Sequence, residues 1–131
     1  MTRFNHIGPT LAVRDVPAGI AFFAKVLDFG IDYLGGDPPE YAVVFRDEVY
    51  IHLSVPDEPV FPAGSGRVLI VVSEIEPVWE KVVSVYPESV IDSLADCDWG
   101  LEVRFKAFTM VDLDGNTLRI AEPLDVEEQE G

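Results

Sequence analysis

Two histidines, one cysteine and a short acidic turn carry most of the chemistry available to this chain. His6 and His52 are its only imidazoles, the side chains that exchange a proton near neutral pH or ligate a metal. Cys97 stands alone, which rules out an intrachain disulfide and a cysteine-rich zinc site. Near the C-terminus, Asp112-x-Asp114-Gly115-Asn116 sets two carboxylates two residues apart. They could form a carboxylate pair. The pattern is better explained as a hairpin turn, because Gly reaches positive φ without a Cβ clash and Asp and Asn bond their own backbone. No Ser-His-Asp arrangement, phosphate-cradling glycine loop or dinucleotide fingerprint is present.

These residues need elements to position them. Thr117 to Ala121 alternates as a strand, with Leu118 and Ile120 on one face and Thr117 and Arg119 on the other. His52 shares a strand face with Tyr50 and Ser54, while Ile51 and Leu53 point the opposite way. It reads as a hydrogen-bonded core histidine or as pocket lining. His6 reads as a surface residue of the first strand. Trp79 falls in the buried stripe of a helix, whereas Trp99 lies in a loop-like stretch between Asp98 and Gly100.

The elements repeat. "LAVRDVPAGIAFFAKVL" and "IVVSEIEPVWEKVVSVY" share one plan: a short apolar strand, an acidic residue and an amphipathic helix. Val13-Arg14-Asp15-Val16 superimposes on Val72-Ser73-Glu74-Ile75. Asp15 is placed to cap the first helix, with Pro17 in its first turn. Ser73-x-x-Glu76 is the matching capping box of the second. The apolar stripes are Val16, Ile20, Phe23 and Leu27, and Ile75, Val78, Trp79, Val82 and Tyr86. The ends match as well: "RDEVYIHLSVP" aligns with "LDGNTLRIAEP", setting Asp47 on Asp114 and His52 on Arg119. Each half thus reads strand–helix–strand–strand–strand. The halves span about residues 4–56 and 64–123, with "VPDEPVFPAGSG" as the joint. The expected fold class is α+β: two tandem βαβββ modules in a single domain over residues 1–123, with an acidic tail over 124–131.

The chain's 131 residues are enough for one buried core, and no apolar run approaches the roughly 20 residues that cross a bilayer. The opening "MTRFNHIGPT" has no apolar signal-peptide region, so a cytoplasmic location is expected. The net charge is −15, and about −10 remains without Glu122 and the four acids of the tail. That charge argues against nucleic acid and anionic membrane as partners; it serves solubility, the commoner role, or attracts a cationic ligand.

The two modules resemble those of the vicinal oxygen chelate superfamily, which includes glyoxalase I, extradiol dioxygenases and bleomycin-resistance proteins. The likeness rests on Val13-x-Asp15 before a helix that holds Phe22-Phe23 and ends Leu27-Asp28-Phe29, and on Asp112-x-Asp114-Gly115-Asn116 before a strand. Trp99-Gly100 ahead of the last hairpin is typical of the bleomycin-resistance-like branch. The resemblance covers about residues 4–123 and implies cupped mixed sheets.

It also implies where a metal would be held: on the first and last strand of each module, here Gly8, His52, Arg67 and Arg119. Only His52 can ligate, and two guanidiniums repel a dication. No metal or other cofactor is therefore expected. The resemblance points to a metal-independent, dimeric binder that sequesters a cationic aromatic ligand in a crevice between subunits. Trp99 would stack on the ligand, Asp98, Glu102 and Asp96 would supply negative charge, and His52, Arg67 and Arg119 would line the cup. Arg119 would pair with Asp112, Asp114 or Glu122. The alternatives are an isomerase, lyase or dioxygenase of the same fold, rebuilt on His6 and His52 or working by acid–base chemistry, and a structural dimer with no ligand.

Overall fold

The computed structural model describes residues 1–98, 100 and 104–124. The first half runs β1 (Thr10–Ala12), α1 (Val16–Leu27), β2 (Gly30–Gly35), β3 (Tyr41–Arg46) and β4 (Val49–Ser54). The second runs β5 (Arg67–Val71), α2 (Ile75–Val85), a short helical turn at Pro87–Ser89, β6 (Val90–Asp98), β7 (Arg104–Val111) and β8 (Thr117–Pro123). Two four-stranded mixed sheets result, in the orders β1-β4-β3-β2 and β5-β8-β7-β6. In each, the first and last strands of the half lie parallel and the remaining pairs are antiparallel. The expected α+β architecture of two βαβββ units is the one observed.

Local chemistry accounts for α1. Asp15 stands in extended backbone and accepts from the Ala18 amide at 3.1 Å, Pro17 fits the first turn, and the helix stops where Asp28 turns left-handed at φ 59°. The second helix departs from expectation. Its cap position is Glu74, which makes no side-chain cap bond, so the Ser73–Glu76 box does not form. With Glu74 as cap, the third helical residue is Pro77, which has no amide to offer. Glu122, from the end of β8, accepts from the Ile75 amide at 3.1 Å instead. Glu76 turns outward to Lys106 at 2.8 Å.

Both helices pack on the inner faces of the sheets and share one core. Phe23, Ile51, Leu53 and Val44 of the first half and Ile75, Val82, Phe108, Leu118 and Ile120 of the second are buried in it together. Each such side chain contributes about 1.5–3 kcal/mol relative to exposure. Phe22 meets Tyr86 edge-on at 5.9 Å, and Trp79 packs on Phe108 at 5.1 Å, the core role expected of it. The first strand is shorter than expected: it begins at Thr10, so His6 and Gly8 precede it. Pro9 still accepts from the His52 amide at 2.9 Å, but proline cannot donate and the ladder ends there.

The halves are also sewn together by polar groups at the β7–β8 turn. Asn116 is fully buried; its Oδ1 accepts from the Gly66 amide, and its Nδ2 donates to Ala12 O and Asp112 Oδ2, each at 2.9 Å. Asp114 Oδ1 accepts from the Arg14 amide at 3.0 Å and from Arg14 Nη1 at 3.2 Å. Gly64 closes the seam at φ +80°, where a Cβ would stand 2.2 Å from Asp114 O, so only glycine fits.

Candidate functional site

Alternation along a strand gives each sheet an outer face that no helix covers. On the first sheet, pairing sets Phe45 opposite Tyr50, Val43 opposite His52 and Tyr41 opposite Ser54, with Tyr33 of β2 beside Val43. This face is aromatic. Phe45 and Tyr50 stack with centroids 5.6 Å apart and planes 16° apart, and Tyr33 meets Tyr41 edge-on at 6.4 Å. His6 reaches it from the N-terminal segment, 5.8 Å from Tyr50 and 6.4 Å from His52. The Tyr41 hydroxyl is hydrogen-bonded to His52 Nδ1. A phenol at neutral pH is the natural donor, which leaves the proton of the neutral imidazole on Nε2. Gly8 makes room for that ring, since a Cβ at position 8 would lie 2.6 Å from Nε2.

The outer face of the second sheet is cationic and apolar. Arg67, Leu69 and Val71 are exposed along β5, and Leu69 pairs with Arg119 on β8. Arg119 Nη1 donates to Thr109 Oγ1 at 2.8 Å and Nη2 donates to Cys97 Sγ at 3.5 Å. The carboxylates expected to receive it are committed elsewhere. Glu122 caps α2 and Asp114 holds Arg14. Asp112 accepts from the amides of Asp114 and Asn116 and from the Asn116 side chain, each at 2.9 Å. Burial pushes the Asp112 carboxyl above the ordinary range, against the pull of those hydrogen bonds. The acidic motif is therefore hairpin and seam chemistry, as its turn residues suggest.

Among the described residues of the single chain, the expected site residues are not gathered into one cluster. His52 belongs to the first sheet, Arg67 and Arg119 to the second. Asp98 ends β6, exposed, and accepts from the Gly100 amide at 2.8 Å, while Asp96 faces Arg104 at 3.6 Å. Trp99 and Glu102 lie outside the described residues. Tyr33, Tyr41 and Phe45 were missed by sequence reasoning. Their signal was present in Tyr41-x-Val43-x-Phe45 facing Tyr50-x-His52 across the two-residue turn Asp47-Glu48.

Several solved structures share this backbone. A bleomycin-binding protein from Streptomyces verticillus, complexed with copper(II)-bleomycin, aligns with a TM-score of 0.70 and 21% identity over 92% of this chain and 97% of that one. An antibiotic binding protein from Streptomyces sp. aligns with a TM-score of 0.73 and 19% identity over 95% and 100%. A glyoxalase/bleomycin resistance protein/dioxygenase superfamily member from Sphaerobacter thermophilus gives 0.71 and 18% over 92% and 98%. The chain has the glyoxalase/bleomycin resistance fold. No family model and no curated protein matches its sequence.

The metal positions expected for this fold can be tested on the side chains. Gly8 and His52 do come together, as that pattern requires, but glycine brings no donor atom. Arg67 and Arg119 bring fixed positive charge. His6 could add a second imidazole, its ring 6.4 Å from that of His52, but two imidazoles fall short of a metal's donor set. Among the described residues no three His, Cys, Asp or Glu side chains are grouped to hold a metal ion. This donor set does not fit a divalent cation. Nor is any helix among the described residues long and apolar enough to cross a membrane.

Proposed function

We propose that this protein binds a cationic, partly aromatic small molecule without a metal and sequesters it, in the manner of bleomycin-resistance proteins. The observation that carries the reading is the outer face of the first sheet, where Tyr33, Tyr41, Phe45, Tyr50, His52 and His6 cluster and neither helix packs. A cation over such a ring gains about 0.5–2 kcal/mol. The exposed guanidinium of Arg67 on the second sheet's face makes the first the better home for a cation. A net charge of −15 favours its approach. Trp99 adds a further stacking surface in this reading, and Asp98 and Glu102 add negative charge. Arg119, braced by Thr109 and Cys97, fills the cup where a metal enzyme would hold its ion. Two proteins of the same fold are, by name, a bleomycin-binding and an antibiotic binding protein, which agrees with this assignment.

The site is completed by a second copy of the chain. Ile31 and Leu34 on β2 and Leu69 and Val71 on β5 are exposed apolar groups that a homodimer would cover. The protein works in the cytoplasm. An acid–base enzyme is the second reading, and it rests on the Tyr41–His52 hydrogen bond, which orients an imidazole on an open face.

Titration of a bleomycin into about 100 μM protein, followed by tryptophan fluorescence and calorimetry, tests the proposal. Quenching and heat are expected, both weakening as salt screens the acidic field. Tyr41→Ala and Trp99→Ala should each weaken binding by about tenfold, near the middle of the cation–π range. No heat and no quenching at that concentration would remove this ligand assignment.

A further inference from the structure

The seam around Asn116 has a counterpart, and there the corresponding residues leave a groove. By the internal repeat Asp47 stands where Asp114 does, Val49 where Asn116 does, and Ser73 where Arg14 does. In place of a closed seam, a groove of about 780 Å³ separates the β3–β4 turn from the start of α2. Its volume falls within the range of small-molecule sites, about 300–1,000 Å³. Its floor is apolar, with Phe29, Val49, Ile70 and Val78. Its rim carries Asp47, Glu48 and Glu74, none of which forms an ion pair among the described residues. Arg46, the one cation of the rim, donates to Leu27 O at 3.1 Å. At the closed seam the carboxylate Asp114 receives the guanidinium of Arg14 at 3.2 Å. At the groove the carboxylate persists and the guanidinium is replaced by the short hydroxyl of Ser73.

We propose that this groove is a second ligand site, for an amphiphilic organic cation of the guanidinium type. The apolar body lies on Phe29, Ile70 and Val78. The cationic head takes, against Asp47, the place that the Arg14 side chain takes against Asp114, with Glu48 and Glu74 adding charge on either side. The site is separate from the aromatic face, since Tyr33, Tyr41 and His52 are not among its walls.

The probe is phenylbutylguanidinium, with neutral phenylbutylurea as its control, and the readout is backbone amide shifts by NMR on the full chain. The guanidinium should shift Asp47, Glu48 and Ser73 saturably, and the urea should bind at least about tenfold more weakly. Ser73→Arg supplies the missing guanidinium from within and should reduce probe affinity by about tenfold or more. Asp47→Asn should do the same, and asparagine tolerates the left-handed backbone at φ 53°. Equal binding of the urea, full affinity after Ser73→Arg, or shifts confined to Tyr41, Tyr50 and His52 would each overturn the site. The comparison of the two probes on the unaltered protein decides the matter even where a variant folds poorly. Failure of bleomycin to bind the aromatic face leaves these amides unaffected, so the two proposals fall separately.

Discussion

The two junctions between the halves start from matched turns and end in opposite states. At the β7–β8 turn, Asn116 reaches into the first half and Asp114 grips Arg14. At the β3–β4 turn, Val49 and Ser73 occupy the corresponding places and the halves stand apart over a groove. The outer faces of the sheets diverge in the same manner, aromatic around His52 and guanidinium-bearing around Arg119. A repeated scaffold thus keeps one copy of a surface for cohesion and frees the other. Two substitutions suffice, because hydrogen bonds across a seam depend on a few side chains while the inner faces carry the common core.

Removing Asn116 should have the largest effect on this contrast. Asn116→Ala strands the Gly66 amide and Asp112 Oδ2 in a buried seam and removes one donor from Ala12 O, for a loss of about 3 kcal/mol. Val49→Ala, at the open junction, should cost about 1 kcal/mol, since only part of a half-buried side chain is lost. Urea denaturation of both variants checks the order, and equal losses would show that the seam is not the stronger junction.

Acidity should sharpen the comparison further. The buried Asp112 carboxyl binds its proton more tightly folded than unfolded. Wild type should therefore gain stability relative to Asp112→Asn as pH falls through the raised value toward the ordinary 3.8, and should lose that gain as pH rises again. Melting temperatures of the two proteins across that window give the sign, and a shift in the opposite direction would remove the burial account.

The smallest effect is expected from copying one junction into the other. Arg14→Ser should cost less than about 1 kcal/mol, because the Arg14 side chain is 67% exposed and its amide keeps the bond to Asp114. Calorimetric unfolding measures the loss. The same variant should gain affinity for phenylbutylguanidinium at Asp114, seen as new shifts of that turn's amides.

Much of the scaffold was legible because it is locally encoded. The Asp15 cap lies three residues from the amide it serves, and the Asp112–Asn116 turn bonds within five residues. The cap of α2 was not legible, because Glu122 reaches Ile75 across 47 residues while the nearer Ser73 and Glu76 fit a local motif. The aromatic face was half legible. His52 and Tyr50 share a strand, but Tyr41 and Phe45 join them only through the register of β3 on β4. The partners of Arg119 were misread because Asp112, Asp114 and Glu122 are near it in sequence but engaged elsewhere in space.

By itself the sequence determined two strand–helix–strand–strand–strand units, since the spacing of apolar residues decides which period can bury a continuous face. It determined the acidity that surrounds any ligand, and it showed that three of the four expected metal positions carry no ligating side chain. Only the tertiary structure decided which groups meet and which stand apart: Gly8 beneath His52, Tyr41 on its Nδ1, Asn116 across 104 residues to Ala12, and a groove between the β3–β4 turn and the start of α2. Periodicity places a side chain on a face, but the distance to a partner on another strand or in the other half depends on register and packing between segments far apart along the chain.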